Sequence, residues 1–180
     1  MGKDTQQKTT VLTTKSSIGR EFSSGGVVYK KLKIKNEKLK ILWLVAATMP
    51  SKMFPDVFWR LPKGWLDDES DGIPGPMASG VKKADEKTLR ETALREVREE
   101  GGVEAKIIDK IGTSTFFYTH PVRGKIMKFV TFYLMEYLRD LPEGFDGETS
   151  EVAWLSYDEA YKLLSFTREK EILKKAEELR

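Results

Sequence analysis

One helix-patterned segment, residues 86–100, stands in mid-chain between blocks that read as strands, and this leaves the chain few ways to fold. Asp85 is a candidate N-cap and Gly101-Gly102 the stop. Ahead of the helix, Gly25 to Tyr29 opens a strand, Lys33 to Lys38 is a polar turn, and Leu39 to Thr48 is a run apolar enough for a buried strand. Val57 to Leu61 is a short strand closed by Pro62. Behind the helix, residues 107–118 and 125–137 form two strands joined by the turn at 119–124, with Phe129 to Leu134 giving the strongest strand signal of the chain. Val152 to Leu155 is a last short strand. Ser156-x-x-Glu159 reads as a capping box opening a helix over 157–164, and an amphipathic helix follows from about 167 to 179. The pattern predicts a mixed strand-and-helix domain, α/β in the α+β sense.

The size fits that domain with little left over. The chain has 180 residues, of which 39% are hydrophobic, enough for a sizeable core and too much for a disordered chain. Residues 1–20, rich in Thr, Lys, Gln and Ser, read as a mobile arm in which Val11-Leu12 pairs weakly on a sheet edge. The domain then spans 21–180. Residues 67–80 form a long loop of acids, serines, glycines and prolines, which serves either as a lid or as a tolerated insertion.

Composition narrows the chemistry. Cysteine is absent, which excludes disulfide scaffolds, thiol catalysis and cysteine-ligated zinc. The single histidine, His120, argues against a Ser-His-Asp centre and reads with Pro121 as turn chemistry. No apolar run approaches the roughly 20 residues of a membrane span, and the polar N-terminus has no apolar signal region. The expected compartment is the cytoplasm. A net charge of +3 is too mild to announce a nucleic-acid partner. A catalytic metal would need oxygen ligands, which favours magnesium, manganese or calcium.

The segment that carries chemistry is Arg95-Glu96-Val97-Arg98-Glu99-Glu100-Gly101-Gly102-Val103. Helical spacing projects Glu96, Glu99 and Glu100 together. Like charges so placed cost about 0.2–0.5 kcal/mol per pair. Divalent metal binding would repay that repulsion; the plainer alternative is a solvated acidic face offset by Arg90, Arg95 and Arg98.

This segment resembles the signature of the Nudix hydrolases, Gly-x5-Glu-x7-Arg-Glu-U-x-Glu-Glu-x-Gly-U with U apolar. Its second half agrees at Arg95, Glu96, Val97, Glu99, Glu100, Gly102 and Val103. Gly25 to Val28, the segment Glu151-Val152-x-Trp154 and the terminal helices extend the likeness over most of 21–180. The first half departs from the pattern. Ser70 follows Gly64 where a Glu belongs, and Lys87 stands eight places before Arg95. Glu69 with an insertion after it, or Glu86 one place out of register, could fill the role; the resemblance of Asp68-Glu69-Ser70 to Gly-Glu-Ser favours Glu69.

The resemblance implies an α/β/α sandwich with a mixed sheet, an inserted loop at about 70–85, and hydrolysis of a pyrophosphate linkage in a nucleoside diphosphate joined to another moiety. It implies Mg2+, with Mn2+ as a substitute, held by Glu96, Glu99 and Glu100, and Arg95 orienting a helix carboxylate. A late-loop Glu148, rather than Glu151, serves as base or further ligand. Lys63 and Gly64 sit at the substrate. Around the box, Pro62-Lys63-Gly64, Phe117-Tyr118 with Lys128-Phe129-Val130, and Trp154-Leu155 with Glu159-Ala160 look most like the bis(5'-nucleosyl)-tetraphosphatase branch. That branch implies a dinucleoside polyphosphate, base stacking by Tyr118 and phosphate contact by Lys128. The individual alternatives are packing for Tyr118 and a solvated strand end for Lys128. Tyr133 reads as core, and Trp65 as pocket lining or a cap on the insertion. ADP-ribose, oxidised nucleoside triphosphates, inositol pyrophosphates and RNA 5' ends are alternative substrates, and a non-catalytic nucleotide- or RNA-binding module is an alternative of another class. The expected partner is a small nucleotide as substrate, with no membrane, and the protein is expected to be a monomer or homodimer.

Overall fold

The computed structural model describes residues 18–33, 38–70 and 72–180. The expected Val11-Leu12 pairing and most of the 33–38 turn lie outside them. The centre of the molecule is β1 (Gly19–Leu32), which takes different partners along its length. Its whole first part runs parallel to β8 (Gly124–Asp140), from Gly19 opposite Ile126 to Tyr29 opposite Glu136. On its other edge, Ser23–Gly25 pairs antiparallel with β4 (Lys63–Trp65), and Tyr29–Leu32 with β2 (Lys40–Thr48). β2 pairs in turn with β3 (Trp59–Arg60) and β9 (Thr149–Leu155), and β8 with the long β7 (Val103–His120). The result is a mixed seven-stranded sheet.

Strand periodicity sorts the core into two layers. Val27, Tyr29, Trp43, Val45, Phe132 and Leu134 face α2 (Tyr157–Leu163) and α3 (Thr167–Leu179), packing with Ala160, Leu164, Ile172, Leu173 and Ala176. Their neighbours Val28, Leu44, Tyr133 and Met135 face the opposite way and cover Ala93 and Val97 of α1 (Glu86–Gly101). The fold is therefore the expected α/β/α sandwich. Among the described residues no helix is long and apolar enough to cross a membrane.

Local signals placed the helices well. Asp85 caps α1 by accepting from the Thr88 N–H at 2.7 Å, and the Ser156/Glu159 capping box opens α2. Strand boundaries differ more. β1 starts at Gly19 rather than near Gly25, because its first residues are paired by β8, a partner a hundred residues away that local pattern does not reveal. Of the expected strand 57–61, only Trp59–Arg60 is paired. The segment expected to be a loop at 67–80 contains a small hairpin, β5 (Asp68–Ser70) with β6 (Ile73–Pro74). Asp67 fastens it: its carboxylate accepts from the N–H groups of Met77 and Ala78 at 3.1 and 2.7 Å. The Phe22 N–H donates to the Ala78 carbonyl at 2.7 Å. The insertion is thus tied to β1, with Gly72 at its tip bordering the cleft described next.

Candidate functional site

Three consecutive residues of β4 connect α1 to the rest of the site. The Lys63 N–H donates to Glu100 Oε2 at 2.8 Å. Gly64 lies against Glu96, where an added Cβ would strike the carboxylate. The Trp65 carbonyl accepts from Arg95 at 3.0 Å. Arg95 also pairs with Glu96 and Glu99, each at 2.7 Å, so it spans two of the three signature carboxylates. Glu100 is gripped on its other oxygen by Arg60.

These carboxylates are not ordinary. Glu96 and Glu100 are buried. Burial pushes Glu96 up to about 8; Arg95 opposes that shift, and Glu100, Glu99 and Glu148 add to it. Burial raises Glu100 as well, against the pull of Arg60 and Lys63. Glu148 disfavours the charged form of both buried carboxylates, as a like charge does where the dielectric is low. Their oxygens are the donor type a hard divalent cation takes. Among the described residues, however, no three acidic or histidine side chains are gathered as an ion cage. The cations Arg95 and Arg60 occupy that position instead.

The last turn of α1 is closed by the loop that carries Glu148. Gly102 adopts a left-handed conformation (φ 66°), and its N–H donates to the Arg98 carbonyl at 3.0 Å. The Asp146 N–H and the Thr149 hydroxyl then take the carbonyls of Glu99 and Glu100, at 2.7 and 3.1 Å. Glu148 is thereby set at the cleft, within electrostatic reach of Glu96 and Glu100. Glu151 pairs with Ala47 in β9 instead.

The cleft is about 980 Å³. It is lined by the cations Arg60, Lys63, Arg123 and Lys128 and by aromatic residues, among them Phe54, Phe58, Phe117 and Tyr118. Lys63 Nζ pairs at 2.6 Å with Glu169 of α3, which also accepts from the Leu61 N–H at 2.7 Å. Tyr118 and Lys128 both reach the cleft, and both turn their polar ends to the buried Glu21: the tyrosine hydroxyl donates at 2.8 Å, and the ammonium stands at 3.4 Å. Burial raises Glu21, but Lys128, Tyr118, Arg123 and Trp65 outweigh it and hold the carboxyl below its ordinary value. Trp65 lines the cleft, as one of its two readings had it. Tyr133 is core, with its hydroxyl donating to Glu86 at 2.8 Å.

Sequence reasoning missed Glu21, Arg60, Arg123 and Glu169. None belongs to a motif, and each acquires its role from partners distant in sequence. Glu86 is held by Lys110 and Tyr133, and Glu69 is exposed on β5; neither lines the cleft. His120 does line it, with Nδ1 accepting from the N–H groups of Val122 and Arg123.

The fold and this carboxylate-bearing helix define a Nudix protein: the NUDIX domain family matches residues 32–176, and the chain belongs to that family. A curated relative, "Putative mutator protein MutT4" of Mycobacterium tuberculosis, is 28% identical over 123 residues, 68% of this chain. The aligned part covers 42% of that relative, so the chain matches less than half of it. Among solved structures, a NUDIX hydrolase from Nitrosomonas europaea matches with a TM-score of 0.57 at 15% identity, covering 88% of this chain and 89% of the other. The NUDIX domain of Shewanella oneidensis NrtR, complexed with ADP ribose, matches at 0.58 and 16%, covering 92% and 91%. The C. elegans Ap4A hydrolase in a binary complex matches at 0.53 and 17%, covering 88% and 96%. At such identities these likenesses concern the fold.

Proposed function

We propose that the protein is a metal-dependent pyrophosphohydrolase acting on a nucleoside diphosphate linked to another moiety, with a dinucleoside polyphosphate as the first candidate. The observation that carries this reading is the buried Glu96, which burial pushes up to about 8 and whose charge Glu100, Glu99 and Glu148 disfavour further, beside a cleft lined by cations. Such an acid takes a proton or a cation near neutral pH. Family membership supports the same reaction.

In this reading Glu96, Glu99 and Glu100 would hold Mg2+ or Mn2+ once Arg60 had yielded Glu100 and Arg95 one of its two carboxylates. The ion, when bound, supplies Lewis acidity and lowers the pKa of a water molecule. Arg95, anchored to the Trp65 carbonyl, keeps the helix carboxylates oriented. Glu148, at the cleft, accepts the proton of the attacking water at its carboxylate. Lys63 offsets charge developing on the phosphate oxygens, and Gly64 leaves Glu96 its space. Tyr118 offers its ring to a base and Lys128 its ammonium to a phosphate. A cleft lined by both aromatic residues and cations suits a ligand that carries nucleobases and phosphates.

The test is turnover of diadenosine tetraphosphate, ADP-ribose, oxidised dGTP and 5'-triphosphorylated RNA with magnesium, beside a Glu99→Gln/Glu100→Gln double variant. The expected result is turnover of diadenosine tetraphosphate that the double variant loses by roughly 100-fold or more. Turnover of another of these substrates, lost in the same variant, would keep the mechanism and replace the substrate. Undiminished activity in the double variant would overturn the role of this helix. No turnover with magnesium or manganese would overturn the hydrolase reading.

A further inference from the structure

Turn chemistry accounts for one ring nitrogen of His120 and leaves the other. Nδ1 accepts from the N–H groups of Val122 and Arg123, at 3.1 and 3.2 Å. A nitrogen that accepts carries no proton, so the neutral ring holds its proton on Nε2. Burial and the neighbouring Arg123 lower the ring's pKa from the ordinary 6.5, with Glu21 opposing them, and the neutral form prevails at neutral pH. His120 therefore carries one uncharged N–H donor of fixed tautomer. Among the described residues none accepts from it.

Its surroundings limit what could. The ring lines the cleft together with Phe54, Phe117 and Tyr118. Phe54 meets it edge-on, with ring centres 6.2 Å apart, and comes from the loop between β2 and β3, where its N–H donates to the Ser51 hydroxyl oxygen at 3.0 Å. The cations of the cleft already meet carboxylates: Arg60 pairs with Glu100, Lys63 with Glu169, and Arg123 and Lys128 with Glu21. Phosphates call for charged donors such as these, and a neutral imidazole adds little to them. A neutral, directional donor among aromatic rings instead suits a flat heteroaromatic group with an acceptor on its edge, a ring nitrogen or a ring carbonyl.

We propose that His120 is a specificity-determining residue whose Nε2–H donates to an acceptor on the edge of the substrate's nucleobase. The proposal rests on the reading of the ligand as a nucleotide, and not on its hydrolysis. This role is distinct from the one given to Tyr118. A ring face stacks on any base, whereas a donor fixed in direction selects a base with an acceptor opposite it. A base that turns a donor toward His120 leaves that N–H unpaired and binds less well.

Calorimetric binding of ADP and of inorganic pyrophosphate, at pH 8 in EDTA, tests this without metal or turnover. The two probes differ by the nucleoside. His120→Asn keeps the turn, because its side-chain oxygen accepts from the same backbone N–H groups, and His120→Phe keeps a ring beside Phe54; both lose the Nε2–H. Each variant should bind ADP roughly 5-fold to 10-fold more weakly than wild type, the worth of one neutral hydrogen bond, and pyrophosphate equally well. Wild-type ADP binding by His120→Asn would reduce His120 to its turn and overturn the proposal. So would an equal loss of pyrophosphate, or wild-type protein that binds ADP no better than pyrophosphate, whether or not the hydrolase assay succeeds. Should a variant not fold, the wild-type protein decides. His120 is the only histidine of the chain, so its ring nitrogens are unambiguous in the NMR spectrum of protein carrying 15N-histidine. The expected spectrum is that of the Nε2–H tautomer, with ADP moving the Nε2 signal more than pyrophosphate does. The opposite tautomer, or a signal that both probes move alike, would overturn the role.

Discussion

At the scale of single residues, the behaviour of Glu96 follows from where its carboxyl lies. Its folded pKa of about 8 stands above the ordinary 4.5, so the folded state binds a proton more tightly than the unfolded chain does. Stability from this group is present at low pH and is lost as pH rises from about 4.5 to about 8. Thermal unfolding in EDTA should show the midpoint falling across that window, and Glu96→Gln should flatten the fall. Magnesium should restore the midpoint at the alkaline end and do little at the acid end, because ligand and proton compete for one carboxylate. A midpoint that rises with pH through the window would contradict this account of Glu96. The signature gave the identity of the residue and its neighbours Arg95, Glu99 and Glu100; its protonation depends first on burial, and also on Glu148, neither of which a local pattern contains.

At the scale of elements, α1 was legible from end to end because its stops are written within a few residues of it, in Asp85 and in Gly101-Gly102. Gly102 does more than stop the helix. A Cβ there would meet the backbone of Gly144 and Phe145 under 3 Å away, besides forcing a side chain into the left-handed region. Gly102→Ala should cost about 1–2 kcal/mol from backbone conformation, with the clash in addition. It should also move the 144–149 loop, and with it Glu148. Urea unfolding and kcat measured on one preparation would show both losses together; unchanged stability would mean the loop yields freely. The opening of β1 was not legible, since Gly19 to Ser24 become strand by pairing with β8. The hairpin in the insertion was likewise hidden, held by Asp67 across ten residues.

At the scale of the whole molecule, the site is assembled from both faces of the sheet. The helix on one face brings Glu96, Glu99 and Glu100, while α3 on the other sends Glu169 to Lys63 and to the Leu61 N–H. Lys63 and Glu169 are nearly buried, with side-chain exposures of 9% and 5%. Removing one member of such a pair leaves the other uncompensated, so Glu169→Ala should destabilise the fold by about 3–5 kcal/mol. Glu169→Gln, which still accepts from Leu61, should cost less. Chemical denaturation of the two variants checks that order, and equal stability of Glu169→Ala and wild type would remove α3 from the site. Neither α3's amphipathic stripe nor the box announces this contact, because an ion pair between residues 63 and 169 exists only once the sheet has closed.

The parallel pairing of β1 with β8 also bears on how the protein is made. On the ribosome, Glu21 emerges about a hundred residues before Tyr118, Arg123 and Lys128, and until they arrive its carboxylate has none of these partners. The central strand must wait, solvated and with one edge open, for most of the chain to follow. Such long-range closure makes folding slow and exposes the waiting strand to wrong partners. A nascent chain stalled before residue 124 should therefore remain sensitive to protease at β1, however well its carboxylate helix has formed.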